Sequence, residues 1–159
     1  MEELYFCRTE DIEKTLKNAL HPHICGKYEF KRGVYGKPYI DGNPVFFSIA
    51  HSGGDGVILI SDKQCGVDLE VIKERKISAV YGRLTAREKE EIQGETKKFL
   101  QNWVAKEAYI KYLGGTVGLI KRLEYAGGVI YFDGEKADCE LTVKTLDRAV
   151  YAVCTGDKK

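Results

Sequence analysis

Glu107 and Lys111 stand four residues apart in the segment 99–115, FLQNWVAKEAYIKYLGG. At about 100° per residue, Phe99, Leu100, Trp103, Val104, Ala108 and Ile110 form an apolar arc with both charges at its centre. Gln101, Asn102, Lys106, Tyr109 and Tyr112 fall on the opposite side, where Lys106 is expected only to be solvated. A surface ion pair at this spacing is worth only about 0.2–0.5 kcal/mol and belongs on a wet face. A carboxylate and an ammonium among apolar groups are costly unless something satisfies them, so these two are expected to line a site. A second acidic pair lies in GVDLEVI, residues 66–72, where alternation puts Val67, Leu69 and Val71 on one face of a strand and Asp68 and Glu70 on the other. A wet edge strand would give the same pattern. Asp68, Glu70 and Glu107 together offer three hard oxygen ligands, which suit Mg²⁺. Lys111, and His51 at the glycine-rich turn HSGGDG, would add donors to a phosphate shared with that metal. Such a set predicts charge stabilisation at a diphosphate, with a carboxylate helping to deprotonate the attacking group.

The elements that must position these residues are short. Leu4–Phe6 reads as a strand and Glu10–Leu20 as a helix with Thr9 as N-cap, ended by His21-Pro22. Loops follow, with YGKP at 35–38 and a turn DGNP at 41–44. Val45–Ala50, VILIS at 57–61 and Cys65–Ile72 suggest three strands of one antiparallel meander. Beyond the charged run KERK at 73–76, residues 77–94 read as helix, and Thr85 with Glu88 forms a capping box. The helix carrying Glu107 stops at Gly114-Gly115. Four strands, at about 123–125, 129–132, 139–146 and 149–154, close the chain. The expected fold is α+β, built as two similar halves, 1–76 and 77–159, each a helix packed on a small antiparallel sheet, with the active site between them.

The 159 residues carry a formal net charge of +1, so no global field points to nucleic acid or an acidic membrane. Five cysteines, odd in number and without a C-x-x-C pair, argue against a disulfide framework or a zinc site. No run approaches the roughly 20 apolar residues of a membrane span, and no signal peptide is evident, so a cytoplasmic location is expected.

The order of four motifs, GKP at 36–38, F-x-S-x-x-H-S at 46–52, GVDLE at 66–70 and W-x-x-K-E-A-x-x-K at 103–111, resembles the 4′-phosphopantetheinyl transferases of the surfactin-synthetase-activating type. The resemblance implies transfer of the 4′-phosphopantetheine group of coenzyme A to a serine of an apo acyl, polyketide or peptidyl carrier protein, with release of 3′,5′-adenosine diphosphate. It implies that Asp68, Glu70 and Glu107 bind Mg²⁺, that Glu107 assists deprotonation, and that Lys111 contacts the coenzyme A phosphates. Gly36, Lys37 and Pro38 match the adenine-side loop, His51 a histidine on the phosphates, and Ser52 a replacement donor, because Ala50 stands where many members have serine. Glu88 matches a second carboxylate proposed as base, and Lys14 loosely matches a basic residue for the 3′-phosphate. Arg83, Arg87 and Lys89 are the candidate surface for an acidic carrier helix. With both halves of the site in one chain, a monomer is expected. A non-catalytic binder of coenzyme A or a carrier is the alternative, and a metal-dependent nuclease fits poorly.

Overall fold

A computed structural model describes residues 1–42, 45–73 and 78–157. In chain order the elements are β1 (Glu2–Arg8), α1 (Ile12–Leu20), β2 (Phe30–Arg32), β3 (Pro38–Ile40), β4 (Phe46–Ser52), β5 (Asp55–Ser61), β6 (Gln64–Val71), α2 (Ser78–Tyr81) and α3 (Ala86–Ile92). They continue with α4 (Thr96–Leu113), β7 (Leu123–Ala126), β8 (Val129–Phe132), β9 (Glu135–Lys136), β10 (Glu140–Thr145) and β11 (Ala149–Gly156).

Among the described residues, two of three three-stranded antiparallel sheets build the core, in the orders β1-β5-β4 and β10-β11-β6; the third is β7-β8-β9, and β2 pairs with β3. Alternation along the strands assigns the faces. On the first sheet Phe47, Ile58 and Ile60 meet Leu16, Ala19 and Leu20 of α1. On the second, Val150, Ala152 and Cys154 meet Leu100, Val104 and Ala108 of α4. Between the sheets lie Val57 and Leu59 from one and Val67, Leu69, Tyr151 and Val153 from the other. The sheets meet along β4 and β6, where serines replace a backbone ladder. The Val67 N–H donates to Ser48 Oγ at 3.0 Å and the Val71 N–H to Ser52 Oγ at 3.2 Å.

The strand at 64–71 does not continue a meander from β5; its backbone partner is β11, and β5 is flanked by β1 and β4 instead. Thr9 makes no side-chain cap and points its hydroxyl to Asp55 O at 3.4 Å, with a 3₁₀ turn preceding α1. Helix α4 is buried almost all round, so Asn102, Lys106, Tyr109 and Tyr112 do not form a wet face. Its second side is covered by α3 and β7, elements that a wheel of α4 alone does not contain. The expected boundary at 76/77, most of KERK and the end of the DGNP turn lie outside the described residues. Among the described residues, no helix is long and apolar enough to cross a membrane.

Candidate active site

The site is set by one crossing. At Gly66, a Cβ would stand 2.1 Å from Ala108 O and 2.3 Å from Tyr112 N, so β6 and α4 touch backbone to backbone and only glycine fits. The Gln64 side-chain amide donates to Tyr112 O beside it. Two residues along β6, Asp68 turns toward the helix and is 7% exposed, which rules out the wet-edge reading of its strand. Lys111 Nζ donates to Asp68 Oδ1 at 2.8 Å and to Ile49 O at 3.3 Å, joining α4, β6 and β4 at one point.

Burial pushes the Asp68 carboxyl up from its usual range, against the pull of the Lys111 ammonium. Its second oxygen, Oδ2, is buried without a hydrogen-bond partner among the described residues. Such an orphaned acceptor is costly unless a cation or donor reaches it. Glu107, half-buried, is pushed up first by burial and then by the charge of Asp68, with Lys111 opposing and Glu70 adding to the rise. Glu70 Oε2 accepts from Ser52 Oγ at 2.9 Å. Among the described residues, no three His, Cys, Asp or Glu side chains already converge as a metal cluster. The donor chemistry nevertheless suits a hard cation: three carboxylates feel one another's charge, and one has a free buried oxygen.

A cavity of about 270 Å³ lies against this group, with Tyr35, Gly36, Lys37 and Pro38 on one side and Glu107, Ile110, Lys111 and Gly114 on the other. Larger cavities elsewhere, of about 340 and 490 Å³, contain neither Glu107 nor Lys111. The cavity thus gathers the GKP loop with two of the expected residues, and Lys111 links it to Asp68. His51 is exposed at the end of β4 and outside this lining. Ser52 is engaged with Glu70 and the Val71 N–H. Ala50 is 4% exposed and packs between the sheets, so a hydroxyl there would face the core rather than a phosphate.

Lys106 requires the largest revision. It is 2% exposed and paired with the fully buried Glu88. Besides Lys106, Glu88 accepts from the Thr85 N–H at 2.8 Å, the Tyr125 N–H at 2.9 Å and Asn102 Nδ2 at 3.1 Å. The capping box is present, as the sequence predicts, but it forms the edge of a buried hub tying α3, β7 and α4 together. Both carboxylate oxygens of Glu88 thus accept from protein donors. Arg87 lies 3.7 Å from Glu124 and over the Tyr131 ring, and Lys89 sits over Tyr81, while Arg83 and Lys14 are exposed. Sequence reasoning did not register the carbonyl of Ile49, the serine seam or the Lys37 side-chain contacts. The four-residue spacing shared by Ser48/Ser52 and Val67/Val71 was the only available signal for the seam.

Comparison with known proteins bears on the same segment. The 4′-phosphopantetheinyl transferase AcpT of Salmonella typhi is 34% identical over 97 residues, 55% of this chain and 50% of the relative. The 4′-phosphopantetheinyl transferase of Bacillus subtilis is 33% identical over 91 residues, 54% of this chain and 41% of the relative. The 4′-phosphopantetheinyl transferase gsp of Aneurinibacillus migulanus is 32% identical over 90 residues, 54% and 38%. The chain therefore spans half or less of the length of these curated relatives. Residues 64–152, which contain Asp68, Glu70, Glu107 and Lys111, match the family described as the 4′-phosphopantetheinyl transferase superfamily. With more than half of its length matched and these four residues gathered on β6 and α4, the chain belongs to the 4′-phosphopantetheinyl transferase superfamily.

Proposed function

We propose that this protein transfers the 4′-phosphopantetheine group of coenzyme A to a serine hydroxyl of an apo acyl, polyketide or peptidyl carrier protein, releasing 3′,5′-adenosine diphosphate. The observation that carries the reading is the single cleft in which the GKP loop, Glu107 and Lys111 share a cavity and Lys111 reaches the buried Asp68. Asp68, Glu70 and Glu107 would hold Mg²⁺, which when bound supplies positive charge against the diphosphate oxygens. Lys111 supplies a second positive charge to the same oxygens. The serine oxygen forms a new bond to the phosphorus on the pantetheine side, the bond from that phosphorus to the adenosine diphosphate oxygen breaks, and the electron pair leaves with the nucleotide. Glu107, which lines the cavity beside Lys111, is placed to receive the serine proton. The full burial of Glu88 among four protein partners supports giving that role to Glu107.

The order of motifs favours the surfactin-synthetase-activating type with two similar halves, working as a monomer in the cytoplasm without nucleic-acid or membrane partners. Two outer helices, each on its own sheet, support a two-part plan, with β6 of 1–76 joined to β11 of 77–159 in the second sheet. Calorimetric titration with coenzyme A, with and without Mg²⁺, tests the site. Binding that tightens with Mg²⁺ is expected. Tight binding indifferent to Mg²⁺, with no transfer, would favour the non-catalytic binder instead.

A further inference from the structure

Lys37 is spent on protein atoms. Its Nζ donates to Cys65 O at 2.6 Å and to Lys111 O at 2.7 Å. Cys65 immediately precedes Gly66, where β6 touches α4, and Lys111 O lies in the last turn of α4, at the negative end of the helix dipole. One ammonium therefore bridges the strand that carries Asp68 and Glu70 and the helix that carries Glu107 and Lys111. The backbone around it is equally fixed: the Gly33 N–H donates to Lys37 O at 2.9 Å, and Gly36 has φ 82°. The loop 33–38 is thereby anchored as one wall of the cavity.

We propose that Lys37 is a positioning residue, a staple that sets the separation of β6, α4 and the GKP loop and acts through Lys111 and Cys65 rather than by touching phosphate or adenine. The idea rests on the proposed transfer reaction. A lysine serving as a phosphate ligand would keep its donors toward the cavity, whereas two of the three donors here face peptide carbonyls. Because both carbonyls sit on the elements that hold the carboxylates, losing the ammonium should misplace the reacting groups while leaving the binding contacts of coenzyme A intact.

The test compares wild type, Lys37→Met, which keeps the aliphatic stem, and Lys37→Arg, which keeps a cation with several donors. For Lys37→Met, kcat of carrier modification is expected to fall at least about tenfold while the coenzyme A Kd stays within about threefold and keeps the same dependence on salt. Lys37→Arg is expected to recover much of kcat. A Kd weakened tenfold or more with a shallower salt slope would identify a phosphate contact and overturn the proposal. So would unchanged kcat and Kd alongside a lower melting temperature, which would make the bridge merely structural. Should Lys37→Met fail to fold, amine acylation of the wild type read by mass spectrometry decides the question. A staple is equally protected with and without coenzyme A, and a ligand lysine gains protection only when coenzyme A is added. Wild type that neither binds coenzyme A nor modifies a carrier would remove the functional reading and the proposal with it.

Discussion

Glu107 and Lys106 are adjacent in sequence and carry opposite lessons. The Glu107 carboxyl is raised mainly by burial, with the Asp68 and Glu70 charges adding and Lys111 opposing. Between the unfolded and folded pKa values the folded chain therefore holds a proton that the unfolded chain has released. The stability this contributes is complete below the unfolded value and is lost as pH rises through the raised one. In metal-free buffer, Glu107→Gln is expected to equal or exceed wild type in urea stability near pH 7 and to lose that margin near pH 4. Wild type more stable than the variant at neutral pH would show that the folded environment favours the charged form. Lys106→Met, by contrast, leaves Glu88 buried and missing one partner, and is expected to cost about 3–5 kcal/mol in chemical denaturation. A cost under about 1 kcal/mol would mean the pair is solvated, as the wheel suggested. Glu107 was legible because its misfit lay within one helix. Lys106 was not, because its partner comes from α3 and its cover from β7.

The element that fixes the site is the crossing of β6 on α4, and Gly66 is its point of contact. Gly66→Ala would put a carbon 2.1 Å from a helix carbonyl oxygen, an overlap with backbone that no rotamer relieves. It is expected to destabilise by about 3 kcal/mol or more and to lower the thermal midpoint sharply; a change under about 0.5 kcal/mol would mean the helix slides freely. At this scale the sequence was half readable. The alternation of faces in GVDLE, with Val67 and Leu69 between the sheets and Asp68 toward α4, the capping box at Thr85 and the glycine stop at Gly114, with φ 71°, follow local rules and are present. The partner of β6 was not readable, because β11 begins 78 residues after Val71 in the numbering, and a period of two says which face is apolar but not which strand lies alongside. The serine seam on the other edge of β6 likewise depends on a register that only the folded chain sets.

Across the whole molecule, two sheets, each with a helix on its outer face, converge on β4 and β6 so that residues from loop 33–38, β4 and α4 share one cleft, which Lys111 links to Asp68 of β6. The family was legible from motif order, and the matched residues 64–152 cover the two acidic motifs and the lysine. The GKP loop and His51 lie outside that match, so their roles rest on the cleft alone: Gly36, Lys37 and Pro38 line it, and His51 does not. The central claim is group transfer in this cleft. It is tested most directly by incubating the protein with coenzyme A, Mg²⁺ and several apo carrier domains and weighing the carriers by mass spectrometry, with Glu107→Gln in parallel. Wild type is expected to add one phosphopantetheine arm to at least one carrier, and Glu107→Gln, folded, to add none. A wild type that leaves every carrier unmodified, or a Glu107→Gln variant that modifies them at near-normal rate, would contradict the account.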